Sequence, residues 1–161
     1  MSIMFGIVGC GMISRFHARA IEEIAGARLV GCASSRFAAA RQLAEEFSCQ
    51  PFQSLDDLLK EPDVDVITVC TPSGAHKEPA VAAATAGKHV IVEKPMALNA
   101  KDCEEMITAC KNANVQLAVG YRLHYEPHHL EIKRLGQEKI FGSVRIIEAS
   151  LGYDWTGMSP D

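Results

Sequence analysis

The segment Gly9-Cys10-Gly11-Met12-Ile13-Ser14 decides the fold of this chain. It follows the apolar run Ile3–Val8 and leads into Ile13–Ile24, where the apolar residues recur with helical spacing. The pattern is G-x-G-x-x-G with serine in the third place. A strand before it and a helix after it are the context that this nucleotide-binding fingerprint requires. The segment therefore predicts the first β-α-β unit of a parallel sheet.

Each small residue of this segment has a physical role in binding a dinucleotide. Gly9 permits a tight turn, and Gly11 lets a pyrophosphate approach the backbone closely. The N-terminus of the helix, at Met12 and Ile13, supplies amide donors and a dipole that favours an anion. Ser14 is small enough for close packing of the helix on the strand. We therefore expect Gly9, Gly11, Met12 and Ile13 to bind the cofactor.

The rest of the chain alternates short apolar runs with longer segments of helical period, which is typical of a parallel sheet buried on both faces. The predicted strands are Ile3–Val8, Arg28–Ala33, Pro51-Phe52, Val64–Cys70, His89–Val92 and Val115–Val119. The predicted helices are Ile13–Ile24, Phe37–Phe47, Leu55–Lys60, Ala75–Ala86, Ala100–Asn112 and Pro127–Leu135. We therefore predict the α/β class, with a doubly wound, mostly parallel sheet of the Rossmann type over residues 1–122.

The pattern changes after Gly142. Residues Ser143–Tyr153 form an extended run rich in β-branched residues, with Ile147, Ala149, Leu151 and Tyr153 on one face. Only eight residues follow this run, too few to build a second sheet. Residues 123–161 are thus predicted to be a connecting helix and one strand. Because a long, unpaired apolar edge invites association, we expect a homo-oligomer that forms through this strand.

Composition and charge exclude several classes of protein. The chain has 161 residues, of which 48% are hydrophobic and 22% are charged, as in soluble globular proteins. Its formal net charge of −4 gives no positive field for a phosphate backbone, so nucleic acid is not an expected partner. The apolar opening Met1–Ile13 lacks a basic leader and is shorter than the roughly 20 residues that span a bilayer. We expect a cytoplasmic protein without a membrane partner.

Cysteine and histidine positions favour neither disulfides nor a metal. None of the six cysteines falls in a C-x-x-C pair, so we expect reduced and mostly buried thiols. His124 and His128 have the spacing of a helical zinc pair, with His129 next to them. They lack a nearby third ligand and a H-E-x-x-H frame. A solvated start of a helix, with no metal, is the preferred interpretation.

The residues after the second predicted strand indicate which dinucleotide is bound. NAD-binding sites carry an acidic residue here that accepts the ribose 2′-hydroxyl, whereas this chain has Ser34-Ser35-Arg36. Hydroxyls and a guanidinium suit a 2′-phosphate, and Arg36 can also lie flat on the adenine. We therefore predict NADP in preference to NAD. In the alternative, Arg36 merely begins the next helix on its solvent side.

Two further motifs follow predicted strands. Thr71-Pro72-Ser73-Gly74-Ala75-His76 is a candidate rim of the binding crevice, although a turn that caps the next helix explains it equally well. Glu93-Lys94-Pro95 follows the next strand. Lys94 beside a bound nicotinamide would donate to a substrate oxygen and lower the barrier to hydride movement. An ordinary ion pair between Lys94 and Glu93 is the alternative.

Taken in order, these motifs resemble the Gfo/Idh/MocA oxidoreductases. The resemblance rests on Gly9–Ser14, Thr71-Pro72 with His76, Glu93-Lys94-Pro95 and Gly120-Tyr121-Arg122, and it covers nearly the whole chain. The stretch Gly120–Pro127 is most similar to the glucose–fructose oxidoreductase branch. Members of that branch use tightly held NADP, which agrees with the prediction from Ser34-Ser35-Arg36.

The resemblance implies a role for each matching residue. Lys94 is the catalytic residue, which touches the substrate hydroxyl and the nicotinamide ribose. The residues that line the nicotinamide end are Thr71, Pro72, His76, Glu93 and Arg122. Hydride passes between the nicotinamide and a carbon of a sugar, cyclitol or related polyol.

Members of the family continue into an α+β domain that carries the proton-transfer pair, and Ser143–Tyr153 resembles its first strand. Nothing in this chain matches that pair, so the chain is expected to end before the domain and to have little activity alone. The alternative function is a non-catalytic NADP-binding module that acts through self-association or a partner chain.

Overall fold

A computed structural model describes residues 2–150 and 152 of the chain. Its first part is a six-stranded sheet in which every pair of neighbouring strands is parallel. The strands are β1 (Ile3–Val8), β2 (Ala27–Ala33), β3 (Gln50–Phe52), β4 (Val66–Val69), β5 (His89–Val92) and β6 (Leu117–Val119). Their order across the sheet is β3-β2-β1-β4-β5-β6. The predicted Rossmann topology is confirmed.

The helices cover both faces of this sheet. The helices of this part are α1 (Met12–Glu23), α2 (Phe37–Glu46), α3 (Leu55–Leu59), α4 (Lys77–Thr85) and α5 (Ala100–Asn112), and a further helix, α6 (Pro127–Gln137), follows later in the chain. Neighbouring strand residues point to opposite faces, so Ile7 and Val8 belong to different cores. Ile7 packs with Ile21 of α1 and Leu43 of α2, all buried. Val8 belongs to the core that includes residues of α4 and α5, such as Ala83 and Met106. The sheet is therefore doubly wound.

Local signals set several helix ends. The Ser54 side chain accepts a hydrogen bond from the Asp57 amide at the start of α3. Asn99 does the same for the Asp102 amide at the start of α5, so both residues are N-caps. Gly87 follows the last turn of α4 with a φ of 74°, a left-handed conformation that glycine adopts without strain.

Two predicted helix bounds are wrong by two residues each, and the other helix bounds that differ do so by one residue. The helix predicted to begin at Ala75 is divided into a 3-10 turn, Ser73–Ala75, and α4, which begins at Lys77. The Ala75 amide donates to the Pro72 carbonyl oxygen at 2.7 Å, which closes the tighter turn. At the other end of the chain, α6 continues through Gly136, because a single glycine is tolerated inside a helix. The left-handed residue beyond α6 is Lys139, whose φ is 54°.

The chain forms two compact units, the first ending at Tyr121 and the second beginning at Arg122. This boundary lies one residue before the expected one. The second unit holds the 3-10 helix Arg122–Tyr125 and α6. Residues 144–150 belong to no strand, unlike the predicted strand Ser143–Tyr153, because no other segment of the described chain pairs with them. Leu151 and Tyr153 of that prediction lie outside the described residues.

The cysteines have the state that the sequence predicts. All six are free, and four of them, Cys10, Cys32, Cys70 and Cys110, are buried. The remaining two, Cys49 and Cys103, are partly exposed.

In the part of the chain that the structure describes, no helix is both long enough and apolar enough to cross a bilayer.

Candidate functional site

The candidate site lies where the sheet reverses its direction of growth. From β1 the sheet extends to β2 and β3 on one side and to β4, β5 and β6 on the other. Ligands of such folds bind outside the carboxyl ends of the strands at this switch point. Backbone hydrogen bonds tie the strand ends together: the Gly9 amide donates to the Ala33 carbonyl oxygen and the Cys70 amide to the Val8 carbonyl oxygen, both at 2.8 Å.

Gly9 is required by the protein backbone itself. Its φ of +90° is one that residues with a side chain rarely adopt. A Cβ atom at this position would lie 2.6 Å from both the Cys70 carbonyl carbon and the Thr71 nitrogen. The loop after β1 therefore packs directly on the loop after β4, and only glycine permits that approach.

Gly11 has no comparable reason to be glycine. Its φ of −88° and ψ of −161° are in the extended region, which alanine also adopts. A Cβ atom at Gly11 would meet no protein atom within 4 Å. The space in front of this backbone is thus open, at the N-terminus of a twelve-residue helix with no acidic side chain in its first turn.

These properties fit a diphosphate. The first amides of a helix have no partner within it, and the helix dipole favours an anion there. The buried Ser14 hydroxyl donates to the Gly11 carbonyl oxygen at 2.6 Å, which fixes the loop in this conformation. The predicted cofactor residues Gly11, Met12 and Ile13 therefore have the geometry expected of an anion cradle, the name used below for these three residues.

Ser34, Ser35 and Arg36 follow β2, the strand next to β1. Ser34 is partly exposed, and both Ser35 and Arg36 are exposed. The Arg36 amide donates to the Ser34 hydroxyl oxygen at 3.3 Å, and Arg36 also stands at the N-cap of α2. Arg36 thus begins the next helix, as the alternative interpretation holds. Its guanidinium makes no ion pair with any residue in the described part of the chain.

The loop after β4 is held by His76, which the structure places differently from the prediction. His76 is 1% exposed, so it does not line an open crevice. Its Nε2 lies 2.8 Å from the Thr71 carbonyl oxygen and its Nδ1 lies 3.0 Å from the Pro95 carbonyl oxygen. Both ring nitrogens face backbone carbonyls, so neither is available to a ligand. His76 connects the loops after β4 and β5.

Thr71 and Pro72 remain near the surface of that rim. The Thr71 hydroxyl donates to the Ala75 carbonyl oxygen at 2.8 Å, which stabilises the 3-10 turn. Pro72 is exposed. The segment thus forms the turn of the alternative interpretation, and Thr71 and Pro72 also lie near the surface, as expected for the rim of a crevice.

The segment Glu93-Lys94-Pro95 presents an exposed lysine beside a buried acid. Glu93 is 9% exposed, whereas Lys94 is exposed to solvent. The Lys94 amide donates to Glu93 Oε2 at 3.0 Å, but among residues 2–150 the Lys94 amino group makes no ion pair. The predicted alternative, an ion pair between these two residues, is wrong. The Lys94-Pro95 peptide bond is cis.

Glu93 pairs with His17 of α1 instead. His17 Nε2 and Glu93 Oε1 are 2.8 Å apart. Gly120 leaves room for this carboxylate, since a Cβ atom there would lie 3.2 Å from Glu93 Oε1. Burial raises the pKa of the nearby Cys70 thiol well above its ordinary range, and the Glu93 charge raises it further. Both carboxylate oxygens of Glu93 are thus bonded to the protein, one to His17 and the other to the Lys94 amide.

Sequence reasoning did not select His17. The sequence did indicate that Glu93 needs a partner, because a carboxylate at the end of a buried strand must be hydrogen-bonded. Nothing in the spacing of the sequence pointed to α1 as the element that supplies it.

Two other predicted features belong to the second unit. Arg122, exposed, begins the 3-10 helix of that unit, and its role toward the cofactor remains a prediction. His128 and His129 lie at the start of α6, where each pairs with Glu126 through Nδ1, at 2.6 and 2.7 Å. The hydrogen bond to His128, followed by that to His129, lowers the pKa of Glu126 to about 2.

The topology and the anion cradle define a dinucleotide-binding unit of the Rossmann class. Residues 3–121 match the Gfo/Idh/MocA family model, which is described as "Oxidoreductase family, NAD-binding Rossmann fold". The chain therefore belongs to the Gfo/Idh/MocA oxidoreductase family.

Curated relatives include dehydrogenases of cyclitols and sugar nucleotides. The chain is 29% identical over 147 residues to inositol 2-dehydrogenase of Rhizobium meliloti, covering 91% of this chain and 44% of that enzyme. It is 31% identical over 144 residues to UDP-N-acetylglucosamine 3-dehydrogenase of Acidithiobacillus ferrooxidans, covering 89% and 44%. The chain thus spans less than half the length of these relatives.

Solved structures of a dehydrogenase and a ketoreductase are also similar to this chain. The WlbA dehydrogenase of Bordetella pertussis, in complex with NADH and UDP-GlcNAcA, superimposes with a TM-score of 0.84 and 35% identity over 88% of this chain and 41% of that one. The 3-ketoreductase KijD10 of Actinomadura kijaniata, in complex with NADP, gives a TM-score of 0.83 and 27% identity, with coverages of 90% and 47%.

Proposed function

We propose that this chain is the cofactor-binding portion of an NADP-dependent oxidoreductase that acts on the CH-OH group of a sugar, cyclitol or related polyol. One observation carries the proposal: the open space at Gly11, at the N-terminus of α1 and the switch point of the sheet. The substrates named for the relatives, inositol and a UDP-sugar, support the substrate class. The NADH and NADP named with the solved structures support the cofactor class.

The residues present suit each part of such a cofactor. The amides of Met12 and Ile13 would hold the diphosphate over Gly11, and the α1 dipole would stabilise its charge. The bound nicotinamide supplies the hydride acceptor. Thr71 and Pro72, after the neighbouring strand β4, lie at the rim expected for the nicotinamide end.

Lys94 is the proposed catalytic residue of this chain. It is exposed at the end of β5, and its amino group makes no ion pair within residues 2–150. An ammonium group there can donate a hydrogen bond to the substrate oxygen and stabilise the negative charge that develops when the hydroxyl loses its proton. The proton acceptor is proposed to come from a part of the protein that this chain does not include.

The preference for NADP is proposed from Ser34, Ser35 and Arg36. No carboxylate follows β2 to repel a 2′-phosphate or to accept a 2′-hydroxyl. Two hydroxyls and an exposed guanidinium are the groups that bind phosphate well, because charged hydrogen bonds are about twice as strong as neutral ones.

The test is a specificity reversal measured by calorimetry. We expect Ser34→Asp to weaken NADP⁺ binding at least tenfold and to strengthen NAD⁺ binding, because a carboxylate repels the 2′-phosphate and accepts a 2′-hydroxyl. Ser34→Ala is the matched control, since it removes the hydroxyl without adding charge. Unchanged affinities of both nucleotides in Ser34→Asp would place the 2′-phosphate elsewhere.

Self-association remains a proposal of its own. Ile146 and Ile147 are each 81% exposed, which fits an apolar segment that needs a partner. Light scattering after size exclusion tests it, and a monomer at all concentrations would contradict it. The non-catalytic alternative gains no support from the family match or from the named relatives.

A further inference from the structure

We propose that His17 is a positioning residue for Lys94, acting through Glu93. This inference rests on the proposed function of Lys94. The chain of contacts is short: His17 Nε2 bonds Glu93 Oε1 at 2.8 Å, and Glu93 Oε2 accepts the Lys94 amide at 3.0 Å. His17 therefore lies two hydrogen bonds away from the backbone of the proposed catalytic residue.

The His17–Glu93 pair is mostly buried, so little water is available to replace the contact if His17 is removed. The side chains of His17 and Glu93 are 20% and 12% exposed. A carboxylate can only accept hydrogen bonds, so the Nε2 of His17 must carry the hydrogen that joins them. Within the described residues His17 is the only side chain that bonds the Glu93 carboxylate. Without it, one oxygen of a nearly buried acid would lack its partner, and the carboxylate would turn toward another donor.

The contact between His17 and Glu93 also joins two different elements of the site. His17 lies on α1, the helix whose first turn forms the anion cradle, whereas Glu93 ends β5. In the sheet, β4 lies between β5 and β1, the strand that precedes α1, so β1 and β5 are not paired with each other. The hydrogen bond between His17 and Glu93 is a direct side-chain link between the proposed diphosphate end of the site and the lysine. Binding at one end would then stabilise the geometry at the other.

The first experiment follows the Lys94 amide in the free protein. His17→Leu removes the donor, and His17→Gln restores one, because the glutamine amide nitrogen reaches about as far as Nε2. We expect the Lys94 amide to shift and to lose hydrogen-exchange protection about tenfold in His17→Leu, and to recover in His17→Gln. Glu22→Gln, on the exposed part of the same helix, is the matched control.

The second experiment separates the two ends of the nucleotide. NADP⁺ reaches the lysine, whereas 2′-phosphoadenosine 5′-diphosphate carries only the adenosine and the diphosphate. We expect His17→Leu to weaken NADP⁺ binding about tenfold, as when a tenth of the molecules hold the competent geometry, and to leave the shorter nucleotide unaffected. A merely structural role would weaken both nucleotides alike.

The outcomes separate the two proposals. An unchanged Lys94 amide in His17→Leu, or equal weakening of both nucleotides, would overturn the positioning role. If the wild-type chain bound neither nucleotide while the Lys94 amide still responded to His17, the proposed function would fail and the link between the residues would stand. Should His17→Leu not fold, His17→Asn is used instead, since its shorter side chain also cannot reach Glu93 while remaining polar.

Discussion

Alanine substitutions at Gly9 and Gly11 should have opposite effects on stability and binding. At Gly9, alanine must adopt a φ of +90° and place its Cβ 2.6 Å from backbone atoms of Cys70 and Thr71. The left-handed conformation costs about 1–2 kcal/mol and the overpacking about 1–3 kcal/mol. We expect Gly9→Ala to lose about 2–5 kcal/mol of unfolding free energy, a large part of the roughly 5–15 kcal/mol that a domain has.

At Gly11 the same substitution meets no protein atom within 4 Å and no forbidden φ. Alanine lowers the entropy of the unfolded chain, worth about 0.4–1 kcal/mol, but it is a poorer N-cap than glycine. These effects nearly cancel, so the unfolding free energy should stay within about 1 kcal/mol of the wild type. The methyl group occupies the space proposed for the diphosphate, so NADP⁺ affinity should fall at least about tenfold.

Urea unfolding and calorimetric titration measure the two quantities on the same preparations. The control is Gly87→Ala, whose φ of +74° strains a side chain although nothing lies within 4 Å of it, so it should lose stability without the clash found at Gly9. Wild-type NADP⁺ affinity in Gly11→Ala would show that the diphosphate does not lie over Gly11, and a loss of stability as large as that of Gly9→Ala would show that the space there is not open.

Two further predictions concern His76 and Glu126. His76→Leu removes the ring that lies between the carbonyl oxygens of Thr71 and Pro95 and leaves at least one of them without its donor, so it should cost about 1–3 kcal/mol in urea unfolding. A change below about 0.5 kcal/mol would contradict the role of His76 in connecting the two loops. Glu126, whose pKa is lowered to about 2 by His128 and then His129, stabilises the start of α6 above its ordinary pKa of 4.5 and loses that effect as the pH falls through about 2. The pKa of His128 is raised from 6.5 by Glu126, so its contribution is complete below pH 6.5 and is lost at higher pH. By NMR, His128→Ala should raise the pKa of Glu126, and an unchanged midpoint would show that the pair is not formed in solution.

Elements with a strong local pattern could be predicted from the sequence. The bounds of β1, β5 and α5 agree with the predicted ones, because the apolar runs are short and Asn99 marks the start of α5. Both wrong helix bounds, near Ala75 and Gly136, depend on the relative stability of competing turns. Such differences amount to about 1 kcal/mol or less, which a pattern of residue types does not resolve.

The site shows where sequence reasoning reaches its limit. The anion cradle at Gly11 is contiguous in sequence, so its local geometry was predictable, whereas its binding of a diphosphate stays a prediction. The partner of Glu93 is 76 residues away in the chain, on another helix. The role of His76 depends on backbone carbonyls, which every residue possesses and which no sequence pattern reveals. Residue types indicated the chemistry, whereas tertiary packing decided which side chains face solvent.

The most direct test of the proposed site is an NMR titration of the isotopically labelled chain with NADP⁺. We expect the largest amide shifts at Gly11, Met12 and Ile13, with a second group at Ser34–Arg36. We also expect smaller shifts at Ser34–Arg36 for the same amount of NAD⁺, since NAD⁺ lacks the 2′-phosphate. Amides that remain unshifted at Gly11–Ile13, at NADP⁺ concentrations well above the protein concentration, would show that this cradle does not bind the diphosphate.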